Sequence, residues 1–260
     1  MMSRLVVRYH QHKNWGDRMS PRLVELFSGQ PVDARRVDAG QCLVPHFIVM
    51  GSILRFANRF TKVWGAGFIS TSAKCSEPPA AVYAVRGPLT RKKLLESGIP
   101  CPEVYGDPAI LMPQLIRPVI TAKYRLGLIP HYVDFNDWRV AALAQRDDVL
   151  LIDITSDKVI ESICECGVIA SSSLHGIILA DVYGTPVTWL RITGQLYGDN
   201  FKFLDWFAAS GREWSAMQPF QLDLPDVDVV CDNATYPVSM PEVSRLREAC
   251  PFRPIGDRWK

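Results

Sequence analysis

The sequence predicts an α/β protein made of two Rossmann-like domains that face a cleft. Three observations predict it. Short runs that are apolar throughout alternate with helix-period segments, the pattern of parallel strands buried on both faces. The alternation breaks once, at the proline-bearing stretch 113–118, and then restarts. The chain has 260 residues, of which 48% are apolar and 22% charged, enough for one sizeable core or two modest ones. The expected domains are 1–115 and 116–260, with the last helix free to pack back on the first.

Each element follows from a local signal. Residues 5–9 (Leu-Val-Val-Arg-Tyr) read as a strand that enters the turn Asn14-Trp15-Gly16-Asp17. A helix around 21–27 follows, stopped by Gly29. A second strand covers 47–50 and ends at Gly51-Ser52, and a third near 63–64 runs into Gly65-Ala66-Gly67. After a strand at 81–85, Pro88 opens a helix at a favoured first position and Gly98 closes it. Residues 104–110, with Gly106-Asp107-Pro108, complete this half. The second half opens with a strand at 124–129, followed by Pro130-His131. Residues 137–143 are helical and 149–154 form a nearly all-apolar strand. Ser156 caps a helix with Val159, Ile160 and Ile163 on one face. A strand at 168–170 passes through Ser171-Ser172-Ser173 into a helix over 174–183, stopped by Gly184 and Pro186, and 187–190 is a further strand. Past Asp223 the chain is rich in proline and acidic residues, with one helix expected near 241–249.

Composition excludes several function classes. A formal charge of +2 argues against a dedicated nucleic-acid surface. No apolar run reaches the ~20 residues of a membrane-spanning helix. The start, Met1 to Tyr9, lacks the long apolar core and cleavage site of a signal peptide, so a cytoplasmic location and reduced thiols are expected. The seven cysteines contain no Cys-x-x-Cys pair, and Cys164 and Cys166, read on a helix, do not face the same way. No metal site is expected. Asp226-Val227-Asp228 is a weak metal-binding pattern in the acidic tail. Gly65-Ala66-Gly67 lacks the third glycine of a dinucleotide fingerprint.

In open α/β sheets ligands bind beyond the carboxyl ends of the strands. The polar residues there are Asn14, Asp17, Ser52, Gly65, Gly67, Arg86, Asp107, His131, Ser171, Ser172, Ser173 and His175. Ser171-Ser172-Ser173-Leu174-His175-Gly176 is the strongest local signal. It joins a buried strand to a helix start, where free N–H groups and hydroxyls favour an anion such as phosphate. The same serines could serve as ordinary N-caps and His175 as a structural residue. Arg86 stands at a strand end with a guanidinium suited to carboxylate or phosphate, or is a surface arginine. His131 repeats the strand-end placement, Asp17 is a carboxylate or a cap before a helix, and Lys202 sits among aromatic neighbours.

Together these pieces resemble a known family. Asn14-Trp15-Gly16-Asp17, Met50-Gly51-Ser52-Ile53-Leu54, Val63-Trp64-Gly65-Ala66-Gly67, Ala84-Val85-Arg86-Gly87-Pro88 and Val104-Tyr105-Gly106-Asp107-Pro108 carry the resemblance in the first half. Ile129-Pro130-His131, Ile169 to Gly176 and Phe201-Lys202-Phe203 carry it in the second. The chain resembles polysaccharide pyruvyl transferases, most closely the xanthan-type ketal pyruvate transferases of exopolysaccharide synthesis. The resemblance covers most of the chain up to about Arg212.

The resemblance implies a glycosyltransferase-B-like pair of domains, phosphoenolpyruvate as donor and a sugar diol as acceptor, carried on a lipid at the inner membrane face. No cofactor is implied. It also implies that Arg86, His175 and Asp17 matter for donor binding or catalysis. Some relatives carry arginine directly before Leu-His-Gly; here Ser173 stands there, and Lys202 is the substitute cation. On this view Arg86, Ser172, Ser173, Gly176 and Lys202 hold the donor. Asn14, Ser52, Gly65 and Gly67 line the cleft. His175 is the general acid or guides phosphate departure, Asp17 is the base, and His131 assists. Trp15, Trp64, Tyr132, Trp138 and Tyr197 are candidates to stack on sugar rings or to serve as core. A nucleotide-sugar glycosyltransferase and a non-catalytic saccharide-binding protein remain as alternatives.

Overall fold

In the computed structural model of the chain, the described residues are 4–11 and 15–252, without the Asp17 side chain. The protein is an α/β fold of two five-stranded parallel sheets with helices. The first sheet uses β1 (Leu5–Tyr9), β2 (Val32–Arg36), β3 (His46–Ile48), β4 (Thr61–Trp64) and β5 (Ala81–Ala84), in the order β2-β1-β3-β4-β5. The second uses β6 (Tyr124–Ile129), β7 (Val149–Leu151), β8 (Cys166–Ser171), β9 (Val187–Arg191) and β10 (Phe220–Gln221). Its order from the corresponding edge is β7-β6-β8-β9-β10. Both sheets therefore share one doubly wound strand order, although no sequence repeat announces it.

That order places a topological switch in each sheet. In the first, α1 (Trp15–Ser28) carries the chain from β1 outward to β2, and β3 then returns to the other side of β1. In the second, α3 (Trp138–Ala144) leads from β6 to β7, and β8 returns beside β6. The crevices beyond β1/β3 and β6/β8 are where such sheets take ligands.

The remaining helices are α2 (Pro88–Glu96), α4 (Val159–Cys164), α5 (Leu174–Val182), α6 (Phe201–Ala209), α7 (Val227–Asp232) and α8 (Val243–Glu248). The largest apolar cluster runs through both sheets, joining Met50, Trp64 and Leu111 to Ile177, Ile178 and Trp206. Each large apolar side chain buried there stabilises the fold by about 1.5–3 kcal/mol. α5 packs on the 3-10 helix Pro108–Gln114, α6 packs on α2, and Trp64 Nε1 donates to Leu246 O of α8 at 2.8 Å.

Several elements differ from the sequence expectation. No element was expected at β2, whose Val32-Asp33-Ala34-Arg35-Arg36 carries three charges; an edge strand tolerates them. α1 starts at Trp15, six residues before Pro21, because buried Trp15, Leu23, Val24 and Phe27 anchor one face of the helix through the proline. β7 stops at Leu151, although Ile152 and Ile154 stay buried. Lys158, not Ser156, is the residue at the α4 N-cap, and Ser156 instead accepts from Lys158 N at 3.1 Å. Cys164 ends α4 and Cys166 begins β8, so the two do not share a helix. α6 was hidden because it is apolar on nearly all sides, and β10 and α7 because they are short. Asp226 caps α7 and Asp228 pairs with Arg125, which accounts for the Asp-x-Asp pattern. Among the described residues no helix is long and apolar enough to cross a membrane.

Candidate functional site

The two switch crevices open on one cavity of about 430 Å³. His10 follows β1, Gly51 and Ser52 follow β3, His131 and Tyr132 follow β6, and Leu174 and His175 open α5 after β8; all line it. Lys202 of α6 adds a cation, and Arg55 and Tyr197 flank the opening. Four residues expected at a site, Ser52, His131, His175 and Lys202, thus come together from distant parts of the chain.

The loops behind this wall are locked by buried polar groups. Ser172 Oγ donates to Asp134 Oδ2 at 2.7 Å and accepts from His131 N at 2.9 Å. Asp134 Oδ1 accepts from the backbone and hydroxyl of Thr193. One buried carboxylate therefore ties the loops after β6, β8 and β9 and fixes the backbone of His131. Ser171 Oγ donates to Ile129 O at 2.9 Å and accepts from Ser173 N at 3.0 Å. Ser171 and Ser172 are accordingly latches rather than open anion donors. Ser173, the N-cap of α5, is fully buried, and among the described residues its hydroxyl has no hydrogen-bond partner. Gly176 packs its bare Cα against Ser171 Oγ, where a Cβ would collide.

His175 is held from three sides. Its Nε2 lies 3.6 Å from Asp107 Oδ2, and both side chains are buried. Asp107 Oδ1 caps the 3-10 helix by accepting from Ala109 N at 3.0 Å. The Trp15 ring sits 6.3 Å away, centroid to centroid, and a Cβ on Gly16 would fall on the imidazole. At that distance the carboxylate lies beyond direct hydrogen-bond reach of Nε2 and stands beside the ring as a buried negative group. Asp17 follows Gly16 in α1 with its side chain not described, and Asn14 lies outside the described residues.

Arg86 is placed differently from the expectation of a direct anion grip. It is 0% exposed and does not line the cavity. Its Nε donates to Asp205 Oδ2 at 3.0 Å, Nη1 to Ser52 Oγ at 2.7 Å and Nη2 to Phe68 O at 2.7 Å. Asp205 is also 0% exposed and accepts from Thr90 N and Oγ1 as well. Asp205 thus ties α6 to Thr90 of α2 and to Arg86, which in turn holds Ser52 at the cavity. Gly67 lies beneath it, because a Cβ there would come within 2.5 Å of Arg86 Nη2. Gly65 turns the chain at φ +96°, a conformation costly for other residues. Both glycines support the wall from behind rather than line it.

Three contributors went unrecognised or unassigned in the sequence. His10 obeys the same strand-end rule as His131 and could have been found by it. Asp107 satisfies that rule too, but its pairing with His175 spans 68 residues of chain and has no local signal. Arg55 lies in a 3-10 turn, stacked over Phe56 at 4.6 Å and 3.5 Å from the Tyr197 hydroxyl. Of the aromatic candidates, Tyr132 and Tyr197 line the cavity, whereas Trp15 and Trp64 are core. Among the described residues no group of three His, Cys, Asp or Glu side chains is arranged to hold a metal ion.

A family model described as polysaccharide pyruvyl transferase matches residues 43–193. The chain belongs to the polysaccharide pyruvyl transferase family. The family match includes Ser52, Asp107, His131 and His175, and leaves Asp17 and Lys202 outside it. Uncharacterized protein L143 of Acanthamoeba polyphaga mimivirus is 36% identical over 179 residues, 65% of this chain and 61% of that protein. Succinoglycan biosynthesis protein ExoV of Rhizobium meliloti (strain 1021) is 28% identical over 212 residues, 77% of this chain and 63% of that protein. The chain spans about three fifths of the length of these curated relatives. No solved structure matches it.

Proposed function

We propose that the chain transfers the pyruvyl group of phosphoenolpyruvate to two hydroxyls of a saccharide, forming a pyruvate ketal and releasing phosphate. Membership of the pyruvyl transferase family supports the reaction class. The observation that carries the donor assignment is the convergence of Lys202, three imidazoles (His10, His131 and His175) and the α5 N-terminal turn on one cavity. Phosphoenolpyruvate carries a phosphate and a carboxylate and needs two anion grips. Lys202 and the N–H groups at the start of α5 supply one set, and Arg55 supplies a cation at the opening. Arg86 contributes by holding Ser52 rather than by touching the donor.

The chemistry balances with the residues in hand. His175, beside Asp107, delivers a proton to the methylene carbon, which becomes a methyl group. The first sugar hydroxyl adds to the central carbon and gives its proton to a base, which we take to be Asp17, next to Gly16 at His175. The C–O bond to phosphate then breaks. The second hydroxyl adds to the oxocarbenium-like carbon and its proton leaves with the phosphate, while the proton taken by Asp17 returns to His175 and restores both groups. His131 and Ser52 line the path and bind the donor.

We read the two sheets as domains 1–115 and 116–260 in a glycosyltransferase-B-like arrangement. The shared strand order and the cavity between their carboxyl edges support that reading. Because phosphoenolpyruvate is an intracellular metabolite, the reaction is assigned to the cytoplasmic face of a membrane, on a lipid-linked saccharide. The test is phosphate release from phosphoenolpyruvate across a panel of saccharides, with nucleotide sugars alongside. Release that depends on a saccharide diol upholds the reading; turnover of a nucleotide sugar with none of phosphoenolpyruvate overturns it.

A further inference from the structure

We propose that a second cavity, of about 620 Å³, is the saccharide site, so that donor and acceptor enter by separate cavities that meet at Tyr132. This deepens the pyruvyl-transfer reading and rests on it. Tyr132 lines both cavities, and its ring lies 4.3 Å from that of His131 in the first. A sugar in the second cavity can therefore present hydroxyls to a donor in the first past a single side chain.

The linings divide by chemistry. The first cavity holds Lys202, Arg55 and three imidazoles, His10, His131 and His175, which suit a small anion. Among the described residues the second has one cation, Arg18, and it is already engaged: Nη1 donates to Thr155 O at 2.6 Å and Nη2 lies 3.8 Å from Asp157. The other described lining residues are mainly aromatic and polar, with one carboxylate, Asp153. Tyr9 ends β1, Gln11 follows it, Phe135 and Asn136 follow β6, and Asp153 follows β7. Tyr132 and Phe135 are 39% and 37% exposed, so part of each ring faces the cavity space. A pyranose offers C–H faces that stack on such rings and hydroxyls that pair with amides and carboxylates. Asp153 uses Oδ1 to accept from Thr155 N and Oγ1, each at 2.8 Å, which leaves Oδ2 for a ligand hydroxyl. The volume falls in the range of ligand pockets and suits more than one sugar ring.

Saturation-transfer NMR on the full chain with gluco- and galacto-configured trisaccharides at millimolar concentration tests the assignment. Transfer to at least one trisaccharide is expected, with affinity about ten-fold weaker in both Phe135→Ala and Asp153→Asn. Phosphoenolpyruvate binding, followed by calorimetry, is expected to persist in both variants, which also shows that they are folded. No transfer from the unaltered chain to any trisaccharide, or undiminished transfer in both variants, overturns the inference. Saccharide binding at this cavity without phosphate release from phosphoenolpyruvate would instead sink the pyruvyl-transfer reading, so the two failures are distinguishable.

Discussion

Arg86 offers the sharpest contrast between what its type suggests and what its surroundings make of it. It and Asp205 are both 0% exposed and 3.0 Å apart, and among the described residues the Asp205 carboxylate is further bonded only by Thr90. Arg86→Met removes the cation and leaves the carboxylate buried without its charge partner. Breaking a buried pair from one side costs about 3–5 kcal/mol. For a chain of this size each kcal/mol moves the melting temperature by roughly 2–4 °C, so a fall of about 6–20 °C is expected. Removing both charges in Arg86→Met/Asp205→Leu should recover part of it, because no buried charge is then left alone. The assay is thermal denaturation of the single and double variants, with calorimetric titration of phosphoenolpyruvate below the transition. Donor affinity should change only modestly, through the loss of the bond to Ser52. An unchanged melting temperature with donor binding abolished would refute the reasoning and make Arg86 a direct anion grip.

Three further outcomes follow from the site and the core. Asp107→Asn keeps a side-chain oxygen to cap the 3-10 helix but removes the charge beside His175; kcat should fall by about 100-fold or more with the melting temperature within a few degrees, and an unchanged kcat would deny Asp107 its role beside His175. Gly16→Ala adds a methyl group where the His175 ring stands, so turnover should drop by about 10–100-fold although alanine is the better helix former; full turnover in steady-state assays would contradict the packing. Burial pushes the Cys75 thiol up to about 11 and that of Cys101 up to about 12, so their thiolates form only well above neutral pH. Alkylation of Cys75 at pH 8, followed by mass spectrometry, should run ~100-fold slower in the folded chain than in urea, and equal rates would refute it.

The alternation of apolar runs was enough to read most strands, because residues buried on both faces of a parallel sheet leave a local signature. The strand-end rule likewise brought out Ser52, His131 and His175, since chain order alone puts them beyond β3, β6 and β8. What stayed hidden depends on partners far along the chain. Arg86 and Lys202 are both cations near apolar residues, and only the fold decides that one is buried against Asp205 while the other lines a cavity. The pairing of Asp107 with His175, and of Ser172 with Asp134, is tertiary in the same sense. β2 was lost because edge strands are marked by charge, which also marks loops.

The central claim is that this chain moves a pyruvyl group from phosphoenolpyruvate to a saccharide diol at the His175 cavity. Its most direct test is a turnover measurement with isotopically labelled phosphoenolpyruvate and a saccharide panel, run on the unaltered chain and on His175→Ala. The account predicts that label appears on the sugar as a ketal methyl group, one per phosphate released, and that His175→Ala abolishes both signals together. Phosphate release with no label on the sugar, or full ketal formation by His175→Ala, would contradict it.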